Sequence, residues 1–252
     1  MKRKYEIAVV SRGAFARTVR IYAPKKADRA IIMHDGQNVF RDEDAAYKKS
    51  WRAIDVLNSE NIKNTAVIGI DCAPTRDDDY LPFPSELGQY GVAAGGGKAD
   101  VYADYIEQKI IPYLDQRFGF RFYGMLGSSF GGQMTLYFAS RKNERMKAYG
   151  MYSTPLFFNA KAFGEYLRSA SFDENCFYHV YTGGSEKVGR IQDEALLQKA
   201  SQCFVDDSFT IVNALRKSNV KDIKLDVINQ ADHDETYWRT PEAYFFKRFS
   251  LI

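Results

Sequence analysis

The sequence lacks several features that would mark other classes of protein. Its 252 residues include only three histidines and three cysteines, and the cysteines (Cys72, Cys176 and Cys203) lie far apart. They form no CxxC pair and no Cys/His spacing typical of a metal site, which predicts free thiols in a reducing compartment and no bound metal. The 35 basic and 32 acidic residues nearly balance and are dispersed, so nothing points to a nucleic-acid partner.

Long apolar runs are missing as well. The basic N-terminus precedes an apolar run at residues 7–10 only, which is too short for a secretory signal. No segment approaches the length of a membrane span, and no repeat or linker divides the chain. We therefore expect a cytoplasmic protein without a membrane association, folded as one domain over residues 1–252. The sequence leaves its oligomeric state open.

Aromatic residues, by contrast, are abundant. The 17 tyrosines and 18 phenylalanines bring the aromatic fraction to 15%, within a hydrophobic fraction of 45%. A chain of this length and composition can bury a sizeable core without disulfides or metals. Most aromatic rings fill cores, but an excess can also line an apolar or ring-binding cleft.

Short β-rich runs alternate with helical patterns along the chain. Predicted strands cover residues 5–10, 18–22, 30–33, 66–70, 122–126, 149–152, 177–181 and 225–228, the first two antiparallel at an edge. Predicted helices cover residues 51–57, 101–118, 132–140, 194–215 and 241–249, with Pro112 as a kink and Pro241 in a first turn. This alternation indicates an α/β fold with a mostly parallel sheet of about eight strands and helices on both faces.

The strongest motif is G-x-S-x-G, formed by Gly127, Ser129 and Gly131 between a predicted strand and a predicted helix. Such a turn strains the serine backbone, and its flanking residues must be small because the chain passes close to itself. The serine hydroxyl then lies at a helix N-terminus, where the dipole favours developing negative charge. The alternative, a phosphate-binding loop, would need GxxxxGK(S/T) or GxGxxG, and neither is present. We expect Ser129 to be a nucleophile.

A nucleophilic serine needs a base, and three histidines compete for that role. His179 lies within an apolar run and is predicted to be a core residue. His34 follows a buried strand but comes early in the chain. His233 follows the last strand, which fits the order Ser, acid, His of α/β-hydrolases. We expect His233 to be the general base, with His34 as its main competitor.

The acid of such a triad orients the imidazole and stabilises its charged form. Glu186 lies in a glycine-containing loop after a predicted strand, at the edge where α/β sites assemble. Asp206 and Asp207 are the alternatives, and Asp232 and Asp234 are too close to His233 in sequence to reach round to its ring. Glu186 is the preferred acid, and the Asp206/Asp207 pair stays open.

The tetrahedral intermediate of acyl transfer needs two donors for its oxyanion. One is expected to be the backbone N–H of Phe130, the residue after the nucleophile. The other is expected from the loop after the third strand, where Gly36 allows a tight turn that directs the N–H of Gln37 towards the site. A plain type I or II turn is the alternative interpretation of this loop.

Together these motifs resemble the "Putative esterase" branch of the α/β-hydrolases, which groups esterase D-like, feruloyl-esterase-like and enterochelin-esterase-like proteins. The matching segments are residues 33–40 (MHDGQNVF), Arg76 with residues 79–82, residues 95–97 with 100–102, residues 127–132 and residues 233–238. The resemblance spans residues 30 to 240. It implies hydrolysis of carboxylic esters without a cofactor, and it supports Glu186, because the family carries its acid in a similar loop.

The predicted activity is therefore that of a serine esterase acting on a small-molecule ester. Gly36, Arg76, Tyr80 and Trp238 are expected to contact the substrate, with the aromatic run at residues 156–158 as a further wall. Rings beside one arginine suit an ester that carries an aromatic, acidic group, and a sugar-linked ester also fits. Two alternatives remain: acyl transfer to an alcohol, and a non-catalytic ligand-binding member of the fold.

Overall fold

One eight-stranded sheet organises the residues that the structure, a computed structural model, describes: 4–13, 15–85, 95–187 and 193–252. The strands are β1 (Glu6–Arg12), β2 (Phe15–Tyr22), β3 (Arg29–Met33), β4 (Thr65–Ile70), β5 (Phe122–Ser128), β6 (Met146–Tyr152), β7 (Phe177–Gly183) and β8 (Ile223–Ile228). Their order across the sheet is β1-β2-β4-β3-β5-β6-β7-β8. The pairs β1–β2 and β2–β4 are antiparallel, and all the others are parallel. The predicted mostly parallel sheet is confirmed.

Helices cover both faces of this sheet. They are α1 (Ala53–Ser59), α2 (Arg76–Tyr80), α3 (Ala99–Tyr105), α4 (Ile111–Phe118), α5 (Phe130–Ala139), α6 (Ala160–Ser169), α7 (Glu194–Lys217) and α8 (Glu235–Ser250). Every residue of β3 is buried, and alternate residues belong to two different core clusters. One cluster includes Ile31 with residues of α1 and α8, and the other includes Ile32 with residues of α3 to α7. Since successive side chains of a strand point to opposite faces, the two clusters are the two layers around the sheet.

Two helix predictions need correction, both around proline. The helix predicted over residues 101–118 begins at Ala99 and contains a π-helical turn, Ile106–Ile110, directly before α4. Pro112 lacks an N–H and its ring crowds the preceding turn, which the wider π turn accommodates. The last helix begins at Glu235 instead of residue 241, because the Asp234 carboxylate accepts the Thr236 N–H (2.7 Å) as an N-cap. Pro241 consequently lies inside α8.

The sequence patterns do not predict helices α2 (five residues) and α6 (ten residues). In the part of the chain that the structure describes, no helix combines the length and the apolar character needed to cross a membrane.

Candidate active site

The turn between β5 and α5 holds Ser129 in a strained backbone conformation, with φ 54° and ψ −125°. Its two flanking glycines leave no room for a side chain. A Cβ on Gly127 would overlap the carbonyl of Gly131, and a Cβ on Gly131 would press against the His34 side chain. The close passage of the chain expected from the G-x-S-x-G motif is therefore present.

Backbone hydrogen bonds tie the ends of neighbouring strands together at the carboxyl edge of the sheet. They run from N–H to O between Ser129 and Tyr152 (2.9 Å), Ser153 and Tyr181 (2.7 Å), and Gly184 and Ile228 (2.9 Å). The loops that follow β5, β6, β7 and β8 are thus fixed side by side. These loops carry Ser129, Ser153, Glu186 and His233, so the sheet brings all four to one edge.

Glu186 and His233 form a hydrogen-bonded pair within this edge. The Nδ1 of His233 lies 2.7 Å from Oε2 of Glu186, and the glutamate side chain is fully buried. Its other oxygen, Oε1, accepts hydrogen bonds from Ser153 Oγ (2.6 Å), the Gly183 N–H (2.7 Å) and Thr182 Oγ1 (3.3 Å). The carboxylate is therefore surrounded by donors on both oxygens.

These donors decide the charge of Glu186. Burial alone would raise the pKa of its carboxyl, but His233, Ser153 and Gly183 outweigh burial and lower the pKa below its ordinary value. An ionised Glu186 can only accept, so the proton of a neutral His233 ring belongs on Nδ1. The Nε2 atom is then free to accept a proton from a nucleophile.

Trp238 contacts this pair from α8. Its Nε1–H donates to Ser153 Oγ (3.0 Å), and its ring meets the His233 ring edge-on at 5.2 Å. Its side chain is 3% exposed. The indole is thus covered and contacts Ser153 and His233, whereas its expected contact with the substrate stays a prediction.

The other two histidines occupy different settings. His34 packs against Tyr80 and Tyr102 with ring distances of 5.2 and 5.7 Å. Burial lowers the pKa of His34 to about 4, so the ring stays neutral at physiological pH. His179 is buried in β7 between the Tyr152 hydroxyl (2.9 Å) and Asp226 (2.9 Å), the core position that its apolar surroundings predict.

The alternative acids, Asp206 and Asp207, hydrogen-bond to residues other than His233. Asp206 is exposed on α7 and accepts from Gln202 Nε2 (2.8 Å). Asp207 accepts the backbone N–H of Phe157 (2.8 Å). The carboxylate that meets His233 is Glu186, which favours the preferred prediction for the acid.

The loop after β3 forms a short 3₁₀ turn, Gly36–Asn38, with Asp35 at φ 52° before it. The Asn38 N–H donates to the Asp35 carbonyl (2.8 Å), so the N–H groups of the first two turn residues have no partner within the turn. A Cβ on Gly36 would collide with the Gly69 backbone in β4. Phe130 is the first residue of α5, and a first-turn N–H has no intrahelical acceptor. Gln37 and Phe130 thus both present backbone donors of the kind predicted for an oxyanion hole.

Arg76 and Tyr80 brace this loop. Arg76 forms a bidentate ion pair with Asp35 (2.7 and 2.8 Å), and its guanidinium lies 5.5 Å from the Phe130 ring centre. Its side chain is 28% exposed, so it can still meet a ligand. The Tyr80 hydroxyl accepts the Asp35 N–H (3.0 Å), and its side chain is 1% exposed. Burial thus places the Tyr80 ring behind the loop, and its expected contact with the substrate stays a prediction.

Two residues without a predicted role also organise the site. Glu235, two residues after His233, is buried and accepts from Asn38 Nδ2 (2.8 Å), which joins the loop after β3 to the start of α8. Ser153 is fully buried at φ 45° and bridges Trp238 and Glu186. Ser153 lies in no sequence motif, and only its position just beyond a strand end could have indicated it. Glu235 lies in the matching segment 233–238, but that motif alone gave it no role.

An arc of four phenylalanine rings runs from Phe130, beside Ser129, to His233. Neighbouring centroids lie 4.6 to 5.5 Å apart, along the series Phe130, Phe158, Phe157 and Phe204. The last ring stands 5.2 Å from His233. Among the described residues, no group of three or more His, Cys, Asp or Glu side chains is arranged to hold a metal ion.

Solved structures similar to this chain include three hydrolases. Siderophore hydrolase EstA from Aspergillus nidulans is 16% identical with a TM-score of 0.75, and the match covers 99% of this chain and 95% of that one. An IroE-like serine hydrolase from Shewanella oneidensis is 16% identical with a TM-score of 0.70, covering 98% and 80%. The enterobactin esterase FES from Shigella flexneri is 16% identical with a TM-score of 0.64, covering 98% and 58%. At these identities the likeness shows a shared α/β-hydrolase fold.

The family assignment rests on a separate comparison. No curated protein matches the sequence. A model of the family described as "Putative esterase" matches residues 15–241, most of the chain, which supports ester hydrolysis as its chemistry. The chain therefore belongs to the Putative esterase family, as its motifs predicted.

Proposed function

We propose that this protein hydrolyses a small carboxylic ester through a covalent acyl-enzyme on Ser129, with His233 as base and Glu186 as its acid partner. The main support for this proposal is the Glu186–His233 hydrogen bond of 2.7 Å, at the same edge of the sheet as the strained Ser129. In this proposal residues 1–252 form one esterase domain that needs no cofactor or metal and acts on a small molecule, not on nucleic acid or a membrane.

The reaction proceeds in two steps, acylation and deacylation of Ser129. His233 Nε2 takes the Ser129 hydroxyl proton while Oγ bonds to the ester carbonyl carbon, and the N–H groups of Phe130 and Gln37 stabilise the oxyanion. The tetrahedral intermediate collapses, the carbon–oxygen bond to the alcohol breaks, and His233 protonates the departing alkoxide. Water, deprotonated by His233 Nε2, then attacks the acyl carbon. The bond from that carbon to Ser129 Oγ breaks, His233 returns the proton to Oγ, and the carboxylic acid is released.

The proposed substrate is an ester with a ring-bearing acyl group. Phe157, the partly exposed ring of the phenylalanine arc, offers an aromatic surface, and the partly exposed Arg76 offers a positive charge. Two of the similar structures carry names that mention siderophores or enterobactin, which makes small siderophore-type esters a sensible first panel. Sugar-linked phenolic esters belong in the same panel.

A panel of 4-nitrophenyl and alkyl esters that differ in acyl group, assayed with wild type and Ser129→Ala, tests the proposal. We expect Ser129→Ala to lose at least about 10⁴-fold in kcat, since serine hydrolases lose 10⁴-fold or more without their nucleophile. Ser128→Ala is the matched control and should stay within about threefold of wild type. Equal turnover by wild type and Ser129→Ala would contradict the proposal, and product analysis with added alcohol would detect acyl transfer.

A further inference from the structure

Asp207 on α7 is a partly buried carboxyl that the proposed mechanism does not use. Its Oδ2 accepts the backbone N–H of Phe157 (2.8 Å), at the start of the 3₁₀ turn Leu156–Asn159. Burial raises the pKa of this carboxyl to about 7, against the hydrogen bonds from the backbone of Phe157 and Leu156. An apolar residue would avoid that desolvation cost, but it could not accept these N–H groups.

The segment that Asp207 holds is anchored from other directions too. On the α5 side, Gln133 Nε2 donates to the Pro155 carbonyl (2.5 Å), and the Asn159 side chain donates to the Pro84 carbonyl. Asp207 supplies the anchor on the α7 side, and it acts on the backbone of Phe157 itself. Losing it would free the Phe157 end of the turn while the other two anchors remain.

Phe157 occupies a distinctive place in the arc of rings. It stacks on Phe158 (4.6 Å) and meets Phe204 edge-on (5.1 Å), and so joins the ring beside Phe130 to the ring beside His233. Phe130, Phe158 and Phe204 are 8%, 3% and 0% exposed, whereas Phe157 is only partly buried. Phe157 is thus the ring of the arc that is most open to an incoming group.

We propose that Asp207 is a positioning residue that sets the preference for aromatic acyl groups, by fixing Phe157 relative to Ser129 and His233. This inference rests on the proposed function. The carboxylate fixes the Phe157 backbone, the backbone fixes the ring, and the ring packs against an aryl group of the ester. A small acyl group such as acetyl does not reach the ring and is indifferent to its position.

The test compares Asp207→Ala, Asp207→Asn and the neighbouring Asp206→Ala on 4-nitrophenyl benzoate and 4-nitrophenyl acetate, which share a leaving group. Asp207→Ala should lower the benzoate-to-acetate ratio of kcat/KM by about tenfold, mainly through KM for benzoate, with acetate turnover within about threefold of wild type. Asp207→Asn keeps an oxygen acceptor for the Phe157 N–H and should restore the ratio. Asp206→Ala should match wild type.

Hydrogen exchange of peptides covering residues 154–160 gives a second readout that is independent of turnover. Asp207→Ala should exchange faster there than wild type, and Asp207→Asn should not. An unchanged ratio in an active Asp207→Ala, or an equal loss on both esters, would overturn the inference alone. A wild type that hydrolyses neither ester, nor any other of the panel, would overturn the proposed function and this inference with it.

Discussion

Replacing Glu186 by glutamine isolates the role of its charge in the candidate triad. Three donors, from Ser153, Gly183 and Thr182, converge on Oε1, whereas one ring nitrogen, His233 Nδ1, faces Oε2. A glutamine will therefore keep its oxygen towards the three donors and turn its NH₂ group towards His233. The imidazole must then accept at Nδ1, which moves its proton to Nε2 and removes the base that Ser129 needs.

The same inversion of the imidazole tautomer costs a Ser-His-Asp site about 10⁴-fold in kcat. That factor corresponds to about 5 kcal/mol of transition-state stabilisation. We expect a loss of this size in Glu186→Gln with the fold intact, because the amide still serves the buried donors. Alanine is a poorer probe, since leaving buried charged or polar partners unpaired costs about 3–5 kcal/mol of stability.

The assay is steady-state hydrolysis of 4-nitrophenyl acetate by purified Glu186→Gln and wild type, with urea unfolding curves of both proteins as the control for folding. Asp206→Asn provides a matched carboxylate-to-amide change at an exposed site on α7. Turnover of Glu186→Gln within about tenfold of wild type, in a protein that unfolds like wild type, would refute the reasoning about the tautomer.

Two further changes probe the surroundings of the pair. Trp238→Phe removes the donor to Ser153 Oγ (3.0 Å) but keeps the ring beside His233; kcat should fall about tenfold, and an unchanged kcat would contradict the bracing role. Glu242 is fully buried, its carboxylate oxygens have no hydrogen-bond partner among the described residues, and burial raises its pKa well above 4.5. The folded state therefore keeps a proton that the unfolded chain releases, so stability falls as pH rises above about 4.5. From pH 5 upwards to the raised pKa, wild type should lose about 1.4 kcal/mol per pH unit of unfolding free energy relative to Glu242→Gln; parallel urea-derived curves would contradict this.

The sheet and the elbow could be predicted because their signals are local. Apolar runs mark β3 and β4, and every residue of both strands is buried. The glycines around Ser129 mark a turn whose geometry only small residues allow. Scarcity helped too, since three histidines could be compared one by one, and the structure pairs His233 with the carboxylate that the sequence favoured.

What the sequence could not supply depends on contacts between distant segments. The aromatic character of Tyr80 and Trp238 suits a cleft wall or a core equally, and only packing against Asp35 and Ser153 decides for the interior. Pro241 suggested a helix start, but the Asp234 cap acts earlier in the chain. The pairing of Asp207 with Phe157 spans 50 residues, and no local pattern encodes it.

Covalent labelling with a fluorophosphonate tests the central claim most directly, because the reagent reacts with an activated serine and not with ordinary hydroxyls. Intact-mass and peptide analysis of wild type should show one adduct, on the peptide that contains Ser129. Ser129→Ala should show no adduct, and Glu186→Gln should react far more slowly than wild type. An unlabelled wild type, or an adduct that persists in Ser129→Ala, would contradict the account.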